Sequence, residues 1–245
     1  MPISCTAVTA AFAEYVSVPV DVMSLKPANL SFEEAAAVPM AGLTALQGLR
    51  HHGEIRPEQK ILINGASGGV GTFAVQIAKS YGPEVTGVTS TQNIDLVRSL
   101  GADHVVDYTT TDFVRSGRRY DLIVDTVGNR SVPDLRRALA EGGKASVTGF
   151  TTTSEQLAHQ VHWLLLRWGT SLAEAIGVPL RGGGKDIARV SAGVSTQDLE
   201  LLSELIEAGK VRPEIDRRYP FAEIPAAIAY LEQGHARGKV VVGMA

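Results

Sequence analysis

The chain has 245 residues, 44% of them hydrophobic, which is enough to bury a large core as one large domain plus a smaller piece. Its net charge of −3 and its scattered lysines and arginines exclude the concentrated basic surface of a nucleic-acid-binding protein. Cys5 is the single cysteine, which excludes an internal disulfide and a cysteine-rich zinc site and favours the reducing cytoplasm. No apolar run approaches the roughly 20 residues that span a membrane, and the N-terminus lacks the order of a signal peptide, so we expect no membrane partner.

The N-terminal part of the sequence contains one clear helix signal. Residues 12–19 partly alternate like an edge strand, and the stretch 19–27 between two prolines is extended, without a helical period. Ser31 and Glu34 have the spacing of a capping box, and residues 35–49 are rich in helix formers. The sequence therefore predicts a short extended segment followed by a helical region.

Two pairs of histidines invite a metal-binding interpretation. His51 and His52 are adjacent and project from different helix faces, which favours a surface pair. His159 and His162 have H-x-x-H spacing, but no acidic or cysteine partner is evident, so we predict no metal there. The second pair lies in 151–185, where an apolar stretch predicts a helix over a pocket or a subunit interface.

Residues 60–80 are the stretch around which the rest of the chain is organised. The apolar run 61–63 is typical of a strand buried on both faces, and Gly65, Gly68 and Gly71 follow it directly, before an amphipathic helix. A tight glycine turn lets backbone N–H groups approach a pyrophosphate, with the positive end of the helix behind them. The stretch therefore predicts a phosphate-binding loop for a dinucleotide.

The glycine spacing leaves other interpretations open. It is Gly-x-x-Gly-x-x-Gly and not the strict Gly-x-Gly-x-x-Gly fingerprint, and purely structural turns also use glycine. A P-loop requires Gly-Lys-Ser/Thr, whereas Gly71 is followed by Thr72 without a lysine. A methyltransferase glycine loop stays possible on the loop alone.

Strands and helices alternate through most of the remaining chain. Apolar runs predict strands over 84–89, 104–106, 120–124, 144–149, 186–194 and 239–242. Capping residues and helical periodicity predict helices over 92–100, 131–139, 195–209 and 224–232. The alternation implies an α/β fold with a doubly wound, parallel Rossmann sheet of about six strands.

Several segments together resemble a known family. In chain order they are AFAEYVSVP, NLSFEEAAAVPMAGLTALQGL, ILINGASGGVGTFAVQIAK, SLGADHVVDY, YDLIVDTVG and GHARGKVVV. They are similar to the zinc-independent medium-chain dehydrogenase/reductases of the quinone oxidoreductase, or zeta-crystallin-like, branch. The resemblance implies a Rossmann dinucleotide-binding domain at 28–212, with remnants of a GroES-like catalytic domain at 1–27 and 213–245. Most of the N-terminal GroES-like part is then absent from this sequence, so we expect cofactor binding with weak quinone reduction.

The resemblance also implies which residues bind the cofactor. The phosphate loop corresponds to Gly65, Ser67, Gly68, Gly69, Val70 and Gly71. The turn after the predicted strand 84–89 corresponds to Thr89, Ser90, Thr91 and Asn93, with Tyr108 near the adenine ribose. Two further groups follow the strands 120–124 and 144–149, at the ends where an open α/β sheet binds its ligand, namely Thr126, Val127 and Gly128, and Gly149 and Phe150. Thr44 matches a threonine whose hydroxyl points to the cofactor, with a back-bonded helix threonine as the alternative.

The turn after the predicted strand 84–89 favours NADP(H) over NAD(H). An Asp or Glu there would bind the ribose hydroxyls of NAD and repel a 2′-phosphate, and none is present at 89–93. Hydroxyl groups and the start of the next helix are suited to a phosphate instead. Gln92 and Asn93 stand where this family often places a basic residue, which weakens the preference.

The expected activity is hydride transfer to a quinone or a related activated carbonyl or alkene, a small-molecule acceptor. No residue is predicted as a catalytic acid or base. Asp125 has the position of a possible catalytic acid at the end of a strand, and an orienting hydrogen-bond role is the equal alternative there. The short-chain dehydrogenases need Tyr-x-x-x-Lys, which no tyrosine here satisfies, and the ligand count excludes a zinc alcohol dehydrogenase. An enoyl-thioester reductase and a catalytically weak NADP(H)-binding remnant or sensor stay open. The resemblance further implies a cytoplasmic homodimer paired through the sixth strand, 186–194.

Overall fold

The computed structural model describes residues 3–5, 16–19, 22–52, 54–148 and 185–244. Within these ranges the strands are β1 (Ile3–Cys5), β2 (Met23–Leu25), β3 (Lys60–Asn64), β4 (Glu84–Thr89), β5 (His104–Asp107), β6 (Tyr120–Asp125), β7 (Leu139–Val147), β8 (Asp186–Arg189), β9 (Ile215–Pro220) and β10 (Lys239–Gly243). The α-helices are α1 (Phe32–Ala36), α2 (Pro39–Arg50), α3 (Gly69–Ser80), α4 (Ile94–Ser99), α5 (Val132–Ala138), α6 (Thr196–Glu207) and α7 (Ile224–Glu232).

The central sheet has six strands in the order β5-β4-β3-β6-β7-β8, and every neighbouring pair is parallel. Counted along the sheet, this is the 3-2-1-4-5-6 order of a Rossmann fold, with the reversal of direction between β3 and β6. The predicted doubly wound parallel sheet is therefore confirmed. The reversal point leaves a crevice at the carboxyl ends of β3 and β6, which is where such sheets bind ligands.

Strand β3 is buried on both faces of the sheet because helices cover both sides. Ile61 and Ile63 belong to a core cluster with side chains of α2, α3 and α6. Leu62, between them, belongs to a second cluster on the opposite face, with Phe113 and Ile123. The continuous apolar run, and not an alternating one, is the pattern that this two-sided burial requires.

The predicted helical region 35–49 consists of two helices. The Ser31 side chain accepts the Glu34 N–H at 3.2 Å and the Glu34 carboxylate accepts the Ser31 N–H at 2.8 Å, so the predicted capping box is confirmed for α1. Helix α1 ends at Ala36, and Pro39 occupies the first turn of α2. A proline lacks the N–H that a helix interior needs but fits the first turn, so the chain begins a second helix there.

Two small sheets lie outside the central one. Strands β1 and β2 pair antiparallel, and β9 and β10 pair parallel. Strand β9 was not predicted because its sequence IDRRYP is mostly polar and half exposed, without an apolar alternation. The predicted edge strand 12–19 is wrong over Val16–Pro19, which is irregular, and its residues 12–15 lie outside the described ranges.

The last two strands of the central sheet differ in length from the predictions. Strand β7 begins at Leu139, not at residue 144, because α5 leads directly into it. Strand β8 ends at Arg189, not at residue 194. Its neighbour β7 ends at Val147, so the chain beyond Val190 leaves the sheet, and Gly193 exchanges backbone hydrogen bonds with the Gln47 side chain of α2. The predicted apolar helix and the His159–His162 pair fall in 149–184, outside the described residues.

The prediction of a surface histidine pair is wrong for His52. Its side chain is only 7% exposed, and its Nε2 lies 3.0 Å from the Ala145 carbonyl oxygen of β7. Its Nδ1 lies 3.5 Å from the Asp186 carboxylate of β8. The ring therefore ties the end of α2 to two strands of the sheet, while His51 remains exposed.

Burial of His52 predicts a pH-dependent stability. Loss of solvation lowers the pKa of His52 below its ordinary value of 6.5, against the opposing attraction of Asp186. The unfolded chain then binds a proton more readily than the folded one, so we expect the free energy of unfolding to decrease as pH falls below about 6.5. Urea unfolding at several pH values between about 7.5 and 5.5 measures this slope.

The matched variants are His52→Asn and His51→Asn. Replacement of the buried ring should flatten the slope, whereas replacement of its exposed neighbour should keep most of it. A wild-type slope in His52→Asn would assign the pH dependence to other groups.

Candidate nucleotide-binding site

The turn between β3 and α3 brings the strand end and the first helical turn into direct contact. Gly65 has φ +83°, and a Cβ there would lie 2.6 Å from the Thr126 hydroxyl. A Cβ on Gly71 would lie 2.0 Å from the Gly65 carbonyl oxygen, so only glycine fits. Gly68 is different, because its φ is −81° and the nearest atom to a Cβ would be 3.4 Å away. Two of the three glycines thus hold the turn together, and Gly68 is free of that constraint.

Helix α3 begins without a capping side chain. The helices α1, α5 and α6 each begin after a serine whose hydroxyl accepts an N–H of the first turn. The residue before α3 is Gly68, which offers no such group. Because the first N–H groups of a helix need an acceptor and carry its positive dipole end, this terminus is suited to an anionic ligand.

A cavity of about 1030 Å³ opens over this helix terminus. It is bounded by the carboxyl ends of β3, β4 and β6, the glycine turn and a C-terminal segment. The sequence-predicted residues that line it are Gly65, Ser67, Gly68, Gly69, Val70, Thr89, Ser90, Asn93, Tyr108, Thr126 and Val127. Four separate stretches of the sequence, 65–70, 89–93, residue 108 and 126–127, thus meet at the carboxyl ends of the parallel strands.

The other predicted site residues lie elsewhere. Thr44 is in α2 and its hydroxyl donates to the Met40 carbonyl oxygen at 2.6 Å, as the back-bonded alternative describes. Gly71 packs against the turn, Thr91 donates to Asp107, and the Gly128 N–H donates to Asp125. None of these four lines the cavity. Gly149 and Phe150 fall outside the described residues.

The hydroxyl of Ser67 is the centre of a hydrogen-bond network under the cavity. It accepts from the Thr89 hydroxyl at 2.7 Å and from the Asn93 amide at 3.3 Å. The same Asn93 amide donates to the Ser90 hydroxyl at 3.2 Å. The network links the glycine turn to the turn after β4, which fixes the relative positions of two parts of the cavity wall.

Asp125, at the end of β6, organises the loop that follows it. It is fully buried, and its Oδ1 accepts from the N–H groups of Val127 and Gly128 and from the Asn64 amide, at 2.8–3.0 Å. Its Oδ2 is buried without a hydrogen-bond partner in the described part of the chain. Burial raises the pKa of Asp125, against these hydrogen bonds. Asp125 does not line the cavity, so the geometry favours the orienting role.

Residues 216–239 that face the cavity form a wall that the sequence did not predict. This C-terminal wall comprises Asp216, Arg217, Tyr230, Gly234, His235, Ala236, Arg237 and Lys239. It is attached to the glycine turn by the Gly238 N–H, which donates to the Ser67 carbonyl oxygen at 3.0 Å. The GHARGKVVV segment was the only sequence signal, and it served there for the family resemblance alone.

The cavity is more basic than the chain as a whole. Four basic residues line it, Arg130, Arg217, Arg237 and Lys239, against the single acid Asp216, whereas the complete chain has a net charge of −3. Arg130 pairs with Asp112 at 3.3 Å, and the Arg217 guanidinium lies 3.9 Å from the centre of the Tyr230 ring. This concentration of positive charge is suited to an anionic ligand.

Lys239 passes over the first residue of α3. Its Cδ and Nζ lie 3.1 and 3.7 Å from the position that a Cβ of Gly69 would occupy. Burial lowers its pKa, and no hydrogen bond or ion pair of its ammonium is found among the described residues. A cation beside the positive end of a helix is electrostatically unfavourable without an anion between them.

The described ranges contain neither a candidate metal site nor a candidate membrane-spanning helix. No three His, Cys, Asp or Glu side chains come together there as ligands for a metal ion. None of the helices in these ranges is both long and apolar enough to cross a bilayer. The absence of a metal site and of membrane contact in the complete chain stays a prediction.

Comparison with known proteins places the chain in a family. The sequence model for the zinc-binding dehydrogenases matches residues 100–242, which is more than half of the chain. The chain belongs to the zinc-binding dehydrogenase family. The predicted membership of the medium-chain dehydrogenase/reductases is confirmed, and the zinc-independent branch remains a prediction. The described residues offer no ligand set for zinc.

Two relatives illustrate the similarity. The chain is 35% identical over 252 residues to the mitochondrial NAD(P)H oxidoreductase RTN4IP1 of Mus musculus, covering 95% of this chain and 61% of that protein. It is 33% identical over 226 residues to the chloroplast envelope quinone oxidoreductase homolog of Arabidopsis thaliana, covering 89% of this chain and 64% of that protein. The chain thus spans less than two thirds of the length of either relative.

The fold has close matches among solved structures. A crystal structure of an NAD-dependent alcohol dehydrogenase superimposes with a TM-score of 0.77 and 28% sequence identity. The match covers 96% of this chain and 65% of that chain. The overall fold of this chain is therefore similar to about two thirds of that structure.

Replacement of Asp125 tests its orienting role. Asp125→Ala leaves two backbone N–H groups and the Asn64 amide without their acceptor, so we expect the free energy of unfolding to fall by at least about 2 kcal/mol. Asp125→Asn keeps an acceptor oxygen at Oδ1, and since burial already disfavours the charged form, it should cost less than about 1 kcal/mol. Urea unfolding at pH 7 measures both. Equal losses in the two variants would contradict the assigned role.

Proposed function

We propose that the cavity binds NADP(H) and that the protein transfers a hydride from it to a quinone or a related activated carbonyl or alkene, without zinc. The single observation that carries the proposal is the Lys239 ammonium over the uncapped start of α3. Two positive groups face one space there without a counter-ion among the described residues. A pyrophosphate supplies the negative charge that this arrangement lacks.

The lining residues support a position for each part of the cofactor. The backbone at Gly68, Gly69 and Val70, with Lys239, would hold the pyrophosphate. The hydroxyl and amide groups of the turn after β4 and the exposed ring of Tyr108 would border the adenosine. The end of β6, with Thr126 and Val127, would lie towards the nicotinamide.

The chemistry requires orientation more than acid or base catalysis. When bound, the nicotinamide supplies the hydride. The Thr126 hydroxyl donates to the Asn64 carbonyl oxygen at 2.7 Å, and the Val127 N–H donates to the Asp125 carboxylate. These contacts hold the wall at the end of β6 in place, beside which the nicotinamide would lie. The catalytic residues remain unassigned.

A second candidate function is NADP(H) binding without efficient turnover. It is favoured by the roles assigned above to the groups that line the cavity, which are binding and orientation, with no proton donor or acceptor for a substrate assigned among them. Oxidation of NADPH by 1,4-benzoquinone separates the candidates: sustained turnover supports the reductase, and binding without turnover supports the binding protein. An α,β-unsaturated thioester as the acceptor tests the enoyl reductase alternative.

We further propose a cytoplasmic homodimer paired through β8. This strand is the last in the sheet, and its outer edge has no strand partner among the described residues. Unpaired edges expose backbone groups that need a partner or a cover. Sedimentation at micromolar concentration should give the mass of two chains, and a monomeric mass throughout would contradict the dimer.

Gly68 offers a direct test of nucleotide binding. The variant Gly68→Asp places a carboxylate at the proposed pyrophosphate position, where the backbone has room for a side chain. Charge repulsion should lower the NADPH affinity by roughly two orders of magnitude or more, with little change in the melting temperature. Fluorescence titration with NADPH measures the affinity.

The control is the same substitution outside the cavity. Gly193 has open space around it and does not line the cavity, so Gly193→Asp should bind NADPH like the wild type. Unchanged affinity in Gly68→Asp, or an equal loss in both variants, would remove the support for this binding site.

A further inference from the structure

Arg237 reaches a part of the cavity that is far from it in the sequence. The residue lies in the C-terminal wall, and its Nη2 donates to the Gln92 side-chain oxygen at 3.3 Å. Gln92 belongs to the turn after β4, residues 90–93, in which the sequence offers no basic residue. The fold thus brings a guanidinium to a turn that lacks a cation of its own.

No carboxylate of this turn competes for the space. The turn contains Ser90, Thr91, Gln92 and Asn93 and no acid. The nearest acid in the adjacent strand is Asp107, whose Oδ1 accepts from the N–H and hydroxyl of Thr109 and whose Oδ2 accepts from the Thr91 hydroxyl. Asp107 does not line the cavity. An anion at the turn would therefore meet hydroxyl and amide groups and the Arg237 guanidinium.

The backbone of Arg237 is held on both sides. Its own N–H donates to the Asp216 carboxylate at 3.0 Å, and the same carboxylate oxygen accepts from the Tyr230 hydroxyl. The next residue, Gly238, donates to the Ser67 carbonyl oxygen of the glycine turn at 3.0 Å. Gly238 has φ +95°, and a Cβ there would lie 2.4 Å from the Glu214 carbonyl oxygen. The anchor point of the side chain is thus fixed relative to the phosphate loop.

The Arg237 guanidinium has N–H donors that its contact with Gln92 does not use. An arginine carries five N–H donors, and Gln92 accepts one of them. Within the described ranges, no carboxylate is paired with this side chain, which is exposed. The other basic residues of the cavity are placed differently, since Arg130 pairs with Asp112, Arg217 stacks on Tyr230 and Lys239 covers the start of α3.

We infer that Arg237 recognises the ribose 2′-phosphate of NADP(H) and that Gln92 positions its guanidinium for this contact. The inference rests on the proposed function and names the residue that gives the site its selectivity over NAD(H). A phosphate dianion matches the planar, bidentate donor pattern of arginine, which a ribose hydroxyl does not. The turn after β4 supplies the remaining neutral donors, among them the Ser90 hydroxyl.

The test compares NADPH and NADH on the complete 245-residue chain. Arg237→Gln should weaken NADPH binding by roughly 10- to 100-fold and leave NADH binding within about twofold, because only the first cofactor carries the 2′-phosphate. Arg237→Lys should fall between, since it keeps the charge and loses the bidentate geometry. The dissociation constants come from fluorescence titration, which does not depend on turnover.

A second readout uses nucleotide fragments. The thermal shift with 2′,5′-ADP should exceed that with 5′-AMP in the wild type, and the difference should shrink in Arg237→Gln. Gln92→Ala should reduce the NADPH preference by less than Arg237→Gln does, because it frees the guanidinium without removing it.

The control is Arg56→Gln, which makes the same charge change at an exposed arginine. Arg56 precedes β3 and so lies towards the amino ends of the strands, whereas the cavity lies at their carboxyl ends. It should leave both cofactor affinities unchanged. Equal losses of NADPH and NADH in Arg237→Gln, or no loss, would overturn the role of Arg237 while NADP(H) binding stands. A wild-type chain that binds neither nucleotide would overturn the proposed function and this inference together.

Discussion

The close contact between the first turn of α3 and the end of β3 is the constraint on which the site depends. A Cβ on Gly71 would lie 2.0 Å from the Gly65 carbonyl oxygen, so the helix reaches the strand only because both residues are glycine. This contact points the uncapped helix terminus at the crevice between β3 and β6. The same turn then receives hydrogen bonds from Thr89 through Ser67 and from Gly238 through the backbone. A looser turn would separate the turn after β4 and the C-terminal wall from the glycine turn, to which these hydrogen bonds attach them.

The polar groups of the cavity divide into those that hold the loops and those left for a ligand. Asp125, Asn64 and Thr126 are occupied by each other and by backbone groups, so they define the shape of the β6 end. Lys239 and Arg237 belong to the second group, because the first has no partner among the described residues and the second has one neutral acceptor. Buried polar groups in proteins are usually paired, so the partly buried ammonium of Lys239 is suited to an anionic partner from outside the described residues. Arg237 is exposed, and its assignment to the second group rests on its position in the cavity wall and on its unused donors.

The sequence predicted those parts of the site that are encoded locally. The run 61–63 and the glycines after it are consecutive, so their periodicity and turn chemistry were sufficient to place the loop before α3. Strand β9 and the C-terminal wall could not be predicted in this way, because IDRRYP is polar and the wall depends on the long-range contact between Gly68 and Gly238. His52 was placed on the surface because its burial follows from β7 and β8 packing over the end of α2, which helical position alone does not reveal.

The position of Lys239 links the stability of the fold to occupancy of the site. Its partly buried ammonium lies beside the positive end of a twelve-residue helix, and two positive groups so placed repel each other. The hydrogen bond from Gly238 to Ser67 and the parallel pairing of β10 with β9 hold the lysine there nonetheless. An anion between the two groups would turn a repulsion into an attraction, so the C-terminal wall and the glycine turn should become more tightly associated when a nucleotide binds. A ligand that binds only the folded state stabilises it by about 2.7 kcal/mol at 100 times its dissociation constant, and attraction to Lys239 and to the start of α3 would contribute to the affinity of an anionic ligand.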